Sequence, residues 1–178
     1  MFVYTHLLLE KEKVQKASKQ SDFGPMLDLF PKNMRHFPIL FTEEESRYLE
    51  GSPLQAELKS CLARAKKMHG AVCKELGEAF KRFSFQDFCE IMAQVNSRAL
   101  DFQVAGAKVR CLVPLADMFS RRTPHDAEIS YSAKDDAVLV TALRDIAKDK
   151  EICIKYSGEK MSSAELFLTY GKVYEENL

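Results

Sequence analysis

Two segments in the last third of the chain decide the fold: residues 111–122 (CLVPLADMFSRR) and residues 151–173 (EICIKYSGEKMSSAELFLTYGKV). The first contains the end of a predicted strand, Val109–Val113, which stops at Pro114 because proline cannot donate to a strand ladder. The second begins as a strand and continues as a short helix. We expect the loop after Pro114 and the segment from Tyr156 onward to meet at one site.

The second segment has local signals for both of its elements. Apolar or aromatic residues occupy every second position of Ile152–Tyr156, which predicts a strand with one buried face. Ser162 and Glu165 have the spacing of a capping box, in which each side chain accepts a hydrogen bond from the other residue's amide. Gly171 then ends the short helix.

A hairpin is predicted between the two segments. Ile129–Ala133 and Ala137–Leu143 are rich in strand-forming residues and flank the polar turn Lys134-Asp135-Asp136. The chain after Asp101 is therefore expected to be rich in strands.

The first half of the chain is predicted to be helical, beginning with a helix over residues 1–20. Thr42 opens a second helix with a capping box. The apolar stripe of residues 54–80 recurs at helical spacing over several turns. Ser84 caps a further helix, so residues 42–98 form a predicted helical block.

Gly24-Pro25 and Phe30-Pro31 are expected to form turns between the first helix and this block. A helical block followed by a strand-rich part predicts an α+β fold. We divide the chain into residues 1–41, 42–98 and 99–178.

The composition is that of a globular protein without net charge. The 178 residues suit one domain with a substantial core. Lys plus Arg equals Asp plus Glu at 26 each, so no overall field attracts nucleic acid or an acidic membrane. No apolar run approaches the roughly 20 residues of a membrane span. We therefore expect neither nucleic-acid nor membrane partners.

The five cysteines are odd in number, widely spaced and without a C-x-x-C motif. This pattern is typical of reduced thiols in an intracellular protein, cytoplasmic or nuclear. The four histidines are scattered, and we expect no metal site. The start, MFVYTHLLLEKEK, has no basic leader or cleavage site of a secretory signal. Its apolar residues predict packing against something, including an oligomer or a partner chain.

These motifs together resemble the SET-domain protein-lysine methyltransferases, in the branch that includes the Rubisco large-subunit methyltransferase. The resemblance is carried by the turn Pro114-Leu115-Ala116-Asp117-Met118, the strand ending at Tyr156, and the Glu165-Leu166 helix that closes on Tyr170-Gly171. It implies a SET-like β-rich fold in which the block 42–98 is a long helical insertion. In the family this insertion helps to bind a protein substrate.

The resemblance implies that Tyr156 is the catalytic tyrosine beside the target amine and that Tyr170 lines the lysine channel. Methyl transfer is an in-line displacement from a sulfonium to a neutral amine, so the site must align both groups and exclude water. A tyrosine hydroxyl can orient the amine, and a second ring can hold an alkylammonium. Asp117 is implied on the substrate side. By itself, Tyr156 is equally typical of an aromatic residue in a strand core.

Four residues are implied on the side of the methyl donor, S-adenosylmethionine: Arg98, Ser120, Arg121 and Lys172. Arg98 lies in Asn96-Ser97-Arg98-Ala99, which is similar to the run that ends the insertion in the family. Ser120 and Arg121 stand where the family has asparagine and histidine, and Lys172 stands where it has an aromatic residue. A hydroxyl and a guanidinium can still contact a nucleoside. Without the resemblance, Arg98 and Arg121 are typical of solvated surface cations.

The family's glycine-rich G-x-G stretch, which approaches the methionine part of the donor, is missing among the seven glycines. The helical substrate-binding domain that usually follows is also not present. We therefore expect the chain to correspond to part of a longer protein or to a reduced relative. We expect an S-adenosylmethionine-dependent protein-lysine N-methyltransferase, with histidine as another possible target. The alternative is a non-catalytic, SET-like protein-interaction module that has lost donor binding.

Overall fold

The structure is a computed structural model that describes residues 2–16, 22–122, 124–154 and 161–173. These residues form two compact units. The helical unit comprises the chain up to Ser97 together with the chain from Ser162 onward. The sheet unit comprises Arg98–Met161.

The described part of the helical unit contains seven α-helices and a 3-10 turn at Pro38–Leu40. The helices are α1 (Phe2–Gln15), α2 (Gly24–Asp28), α3 (Glu43–Arg47), α4 (Pro53–Leu76), α5 (Glu78–Lys81), α6 (Phe85–Asn96) and α7 (Ser163–Tyr170).

Helix α4 carries the apolar stripe seen in the sequence. Pro53 lies in its first turn, where an amide hydrogen would have no helical partner. The buried residues of α4 are Leu54, Leu58, Ala65 and Val72, which lie on one side of a helix of 3.6 residues per turn. The opposite side of the helix is charged and faces water.

Helix α1 packs against α6 within the helical unit. Leu7 and Leu8 are buried, and the ring of Tyr4 meets Phe88 of α6 edge to face, with 6.0 Å between the centroids. The helix predicted over residues 1–20 is therefore confirmed with shorter bounds, and these leucines are buried by the chain itself. A contribution from an oligomer or a partner chain stays a prediction.

The described part of the sheet unit contains six strands and a 3-10 turn at Ala116–Met118. The strands are β1 (Leu100–Val104), β2 (Ala107–Cys111), β3 (Ser120–Arg121), β4 (Ala127–Ser132), β5 (Ala137–Ala142) and β6 (Cys153–Ile154). Strands β1 and β2 form an antiparallel hairpin. The other four form a sheet in the order β3-β6-β4-β5, in which β6 is parallel to β3 and β4, and β4 is antiparallel to β5.

The core of the sheet unit lies between the β1–β2 hairpin and the face of β4 and β5. Leu100, Phe102 and Ala116 are buried at its centre. The half-buried residues around them are Val104, Cys111, Val113, Ile129, Tyr131 and Val138. Ala116, the first residue of the 3-10 turn, is therefore part of the core, and its burial anchors the loop that follows β2.

Most predicted elements are confirmed. The α+β class is correct, and the predicted hairpin is β4–β5. Capping boxes form at Thr42, Ser84 and Ser162. The predicted strand Val109–Val113 is β2, which ends at Cys111 and pairs with the unpredicted β1.

One prediction is wrong, and others lie outside what the structure describes. Gly24-Pro25 does not form a turn but opens α2, because proline is well tolerated in the first helical turn. Of the predicted strand Ile152–Tyr156, only β6 is described, and Tyr156 lies outside the described residues. The domain boundaries at residues 41 and 98 stay predictions.

All five cysteines lie in the described residues and are free thiols. Burial raises the pKa of the Cys89 thiol to about 12, which makes it unreactive near neutral pH. In the described ranges, no cluster of three or more His, Cys, Asp or Glu side chains could hold a metal ion. No helix in those ranges is both long and apolar enough to span a membrane.

Candidate active site

The loop after β2 makes a tight turn at Leu115. The Asp117 amide donates to the Val113 carbonyl and the Met118 amide to the Leu115 carbonyl, each at 3.1 Å. Leu115 has a φ of +71°, a region that costs a residue with a side chain about 1–3 kcal/mol. Its side chain is also exposed. A strained, exposed leucine on a loop anchored by a buried alanine is typical of a functional segment rather than of a packing one.

This turn brings Asp117 to Arg98. Nη1 of Arg98 lies 3.0 Å from Oδ2 of Asp117, and the two side chains are 17% and 4% exposed. Such a charge-assisted hydrogen bond is strengthened by its removal from water, while an unpaired carboxylate at this depth would be costly. The sequence assigned Arg98 to the donor side and Asp117 to the substrate side; the structure joins them in one ion pair.

Ser120 and Arg121 form β3, directly after the turn. Ser120 lies opposite Cys153, and Arg121 lies opposite Ile154 of β6. The hydroxyl of Ser120 donates to the carboxylate of Glu151. The structure therefore places two of the four predicted donor-side residues on β3, which pairs in parallel with β6, and the serine hydroxyl is already hydrogen-bonded. Their contact with a donor stays a prediction.

Asp126 holds the neighbouring strands together and was not identified from the sequence. Its carboxylate accepts hydrogen bonds from Nη2 of Arg122 at 2.9 Å, from Nε of Arg144 at 3.0 Å and from the Cys153 amide at 3.0 Å. Its own amide donates to the Cys153 carbonyl at 2.8 Å, and its carbonyl accepts from the Leu143 amide at 2.9 Å. One residue thus links β4, the end of β5 and the β6 strand beside β3.

The surroundings of Asp126 hold its carboxylate in the charged form. The hydrogen bond from Arg144 is the main reason that the pKa of Asp126 lies below its ordinary value, and the Cys153 amide adds to the effect. The only sequence signal for this role is the four-residue spacing from Arg122, which is too common to be diagnostic. Its position at the start of a strand gives no further indication.

The second motif of the sequence builds α7 in the helical unit. The Glu165 amide donates to Ser162 Oγ at 3.2 Å, and the Ser162 amide donates to Glu165 Oε2 at 2.7 Å. Leu166 is fully buried. The helix ends at Gly171, whose amide donates to the Phe167 carbonyl at 2.9 Å.

Gly171 is required both by backbone conformation and by packing. Its φ is +69°, in the left-handed region. A Cβ atom at this position would lie 2.5 Å from Cδ2 of His36 and 3.1 Å from Cδ2 of Phe37. The end of α7 is therefore packed closely against the segment that precedes the 3-10 turn at Pro38–Leu40.

The remaining predicted site residues lie at this helix end or outside the described residues. Tyr170 is the last residue of α7 and is half-buried, and Lys172 is exposed one residue after the capping glycine. Tyr156 lies outside the described residues, so its role stays a prediction. The roles of Tyr170 and Lys172 stay predictions as well.

The fold is similar to solved SET domains. The SET domain of LSMT, bound to lysine and AdoHcy, matches with a TM-score of 0.73 and 20% identity over 94% of this chain and 40% of that chain. Rubisco LSMT bound to AdoMet, and the same protein bound to sinefungin and monomethyllysine, match with TM-scores of 0.69 and 0.67. Each of these two is 22% identical and covers 96% of this chain, and 39% and 38% of theirs, respectively.

This chain spans about two fifths of the length of the LSMT chains that it matches. No protein-family model and no curated protein sequence matches it. The likeness nevertheless covers nearly all of the chain, including the helical and the strand-rich parts. The chain therefore has a SET-domain fold similar to that of Rubisco LSMT.

Proposed function

We propose that this chain is the SET-domain part of an S-adenosylmethionine-dependent protein-lysine N-methyltransferase. The observation that carries the proposal is the likeness of nearly the whole chain to a SET domain solved with lysine and AdoHcy bound. The retained turn Pro114–Met118 and the Tyr170-Gly171 helix end support it, because the fold alone would not require either motif.

The donor-side residues offer part of the chemistry that S-adenosylmethionine requires. A guanidinium has five donors in a fork that suits a carboxylate, so Arg98 would hold the carboxylate of the donor's methionine part while it binds Asp117. Because the Ser120 hydroxyl bonds to Glu151, Ser120 would meet the nucleoside through its backbone, and Arg121 would stack on the adenine. Lys172 would lie at the adenine's edge. When bound, the donor supplies an electrophilic methyl group on a sulfonium.

The chain's own residues would orient the substrate. Tyr156 would accept a hydrogen bond from the neutral lysine amine and direct its lone pair toward the methyl group. The ring of Tyr170 would form one wall of the lysine channel and exclude water. Asp117, held by Arg98, would keep the loop in the shape that the substrate side requires. The same arrangement would accept a histidine nitrogen in place of the amine.

The implied partner is a lysine-bearing protein, and the implied location is intracellular. The odd number of widely spaced cysteines, without a C-x-x-C motif, supports the intracellular location.

A second candidate is a protein-interaction module with a SET-like fold and no donor binding. The contact between Ser120 and Glu151 favours it, because it uses the hydroxyl that would otherwise face the donor. The exposed Lys172, in place of an aromatic residue over the adenine, favours it too.

The proposal is tested by transfer of a labelled methyl group from S-adenosylmethionine to proteins of a cell extract, with the modified residue identified by mass spectrometry. We expect label on lysine with the wild-type chain. Tyr156→Phe should lower transfer by about 10²-fold or more, in the range of a lost positioning or proton-handling group. Tyr48→Phe is the matched control. Tyr48 directly follows α3 and is 85% exposed, so this substitution should leave transfer unchanged.

One result would decide against the enzyme, and two others would change its mechanism or its substrate. A folded wild-type chain that transfers no label would favour the interaction module. Equal transfer by the Tyr156→Phe and Tyr48→Phe variants would remove Tyr156 from the mechanism, while label confined to histidine would change the substrate class.

A further inference from the structure

The backbone gives no reason for a leucine at position 115. Leu115 has a φ of +71° and a ψ of −42°, a region that glycine enters freely and that strains a residue with a Cβ atom. Among the residues with a positive φ in the described ranges, it is the only large apolar one; the others are Ala105, Asp136, Asp149 and four glycines. A glycine at this position would form the same turn without the strain.

Packing gives no reason for this leucine either. Leu115 is 75% exposed, so its side chain adds very little to the core of the sheet unit. An apolar side chain stabilises a fold in proportion to the area that it removes from water. Leu115 therefore strains the folded backbone without a compensating contact in the core. A strained residue that folding does not require is a candidate for a functional role.

Met118 lies beside Leu115 and is exposed as well. The Met118 amide donates to the Leu115 carbonyl at 3.1 Å, a turn that brings the two Cα atoms within about 7 Å of each other. Met118 is 52% exposed, whereas Ala116 is buried and the Asp117 side chain is only 4% exposed. The turn thus places a small and a charged side chain inside and presents two apolar side chains to water. We call Leu115 and Met118 the apolar pair.

The turn is held in this arrangement by contacts on its inner side. The Asp117 carboxylate accepts a hydrogen bond from Arg98 at 3.0 Å, and the Asp117 amide donates to the Val113 carbonyl at 3.1 Å. Ala116 packs in the core of the sheet unit. A surface that is already ordered loses little conformational freedom when a partner binds, which favours binding. The apolar pair is therefore a preformed contact surface.

The exposure of the apolar pair indicates the kind of partner. A small ligand such as the methyl donor is bound in a concave site that covers most of its surface. Side chains that are 75% and 52% exposed suit contact with the surface of another protein instead, and methionine is enriched in such interfaces. The pair also flanks Asp117, the residue that the resemblance places on the substrate side. A protein substrate is the partner that fits both observations.

We propose that Leu115 and Met118 contact the protein substrate and select a target lysine that has an apolar neighbour. This inference rests on the proposed function and adds the class of substrate. The contact removes apolar surface from water on both partners. Because it is the same before and during methyl transfer, it lowers KM and leaves kcat unchanged. Leu115 and Met118 are thus specificity residues, not catalytic ones.

Methyl transfer from S-adenosylmethionine to two peptides tests the inference. Each peptide has one lysine in an otherwise identical sequence, with a leucine on both sides of the lysine in one peptide and a serine in the other. The wild-type chain should prefer the leucine peptide by about tenfold in kcat/KM, through a lower KM. Leu115→Gly should abolish this preference, because it raises KM for the leucine peptide and leaves KM for the serine peptide unchanged.

Further measurements separate an effect on the substrate from an effect on the fold. The melting temperature of Leu115→Gly should be no lower than that of wild type, because glycine relieves the strained backbone. Calorimetry should give an unchanged Kd for S-adenosylmethionine. Met118→Gln replaces an apolar side chain by a polar one of similar length and should weaken the preference severalfold.

Leu139→Thr is the control, because Leu139 is 41% exposed on β5 and its loss changes exposed apolar surface outside the turn. It should keep the preference for the leucine peptide. A chain that labels proteins of a cell extract but does not prefer the leucine peptide would overturn the inference and leave the proposed function standing. So would a Leu115→Gly variant that melts at a lower temperature or loses donor affinity. A folded chain that labels no protein and neither peptide would overturn the proposed function, and the inference with it.

Discussion

Nη1 of Arg98 lies 3.0 Å from Oδ2 of Asp117, across 19 residues of sequence, with the two side chains only 17% and 4% exposed. This ion pair joins Arg98, two residues before β1, to the strained turn after β2. A carboxylate at this depth depends on its partner. Its removal from water costs free energy, and a buried charge without a partner has nothing to offset that cost. The Arg98 guanidinium therefore helps to hold the loop that carries the Pro114–Met118 motif, together with the burial of Ala116.

Arg98→Ala should destabilise the chain by about 3 kcal/mol, because it leaves the Asp117 carboxylate buried and unpaired. The double variant Arg98→Met with Asp117→Leu should recover much of this loss, since apolar groups of similar size need no partner. Unfolding in urea measures both.

The matched control is Lys81→Ala, which removes an ion pair with Glu78 in which the side chains are 58% and 87% exposed. Its cost should stay below about 1 kcal/mol. If Arg98→Ala costs no more than Lys81→Ala, the pair does not hold the loop.

Gly171→Ala should destabilise the chain by about 1 kcal/mol or more, because alanine is strained at a φ of +69° and its Cβ would contact His36 and Phe37. Gly70→Ala is the opposite case: Gly70 lies inside α4, and a Cβ there meets nothing within 4 Å. That substitution should stabilise by about 0.5–1 kcal/mol. Melting temperatures that shift in the same direction for both variants would contradict the close packing of α7.

Asp126 should make stability fall in acid. Its pKa is lowered in the folded chain, mainly by Arg144, so the folded state favours the charged form. The stabilisation is complete above the ordinary carboxyl pKa of about 4 and is lost as the pH falls through the lower folded value. Asp126→Asn should be less stable than wild type at neutral pH, and the difference should narrow at acidic pH. A difference that stays constant across that range would exclude the charge as the cause.

Ser162→Ala removes the acceptor for the Glu165 amide at the start of α7 and should cost about 1 kcal/mol. Ser60→Ala serves as the comparison, because Ser60 is exposed in the interior of α4 and alanine is the better helix former. Equal unfolding midpoints for the two variants would mean that the capping box of Ser162 and Glu165 does not stabilise α7.

The sequence predicted the features that depend on neighbouring residues. Ser84 and Ser162 cap helices because their partners lie three residues away, and β4 and β5 pair across a short turn. Such local signals are visible in a single chain.

Apart from strand β1, whose partner β2 follows a two-residue turn, the missed features depend on distant residues. Strand β1 is short, and its five residues gain a partner only when the chain turns at Ala105-Gly106. The Arg98–Asp117 pair and the contacts of Asp126 join side chains that no periodicity relates. The packing of Gly171 on His36 is equally a product of tertiary structure. The motif named Arg98 and Asp117 separately, but it did not predict that they bind one another.

A calorimetric titration of S-adenosylmethionine into the purified chain tests the central claim most directly. The proposed function predicts saturable binding of one donor per chain, weakened in Arg98→Lys, which keeps a positive charge beside Asp117 but lacks the guanidinium fork. No heat of binding and no thermal stabilisation of a folded wild-type chain would contradict it, and the SET-like fold would then serve as an interaction module.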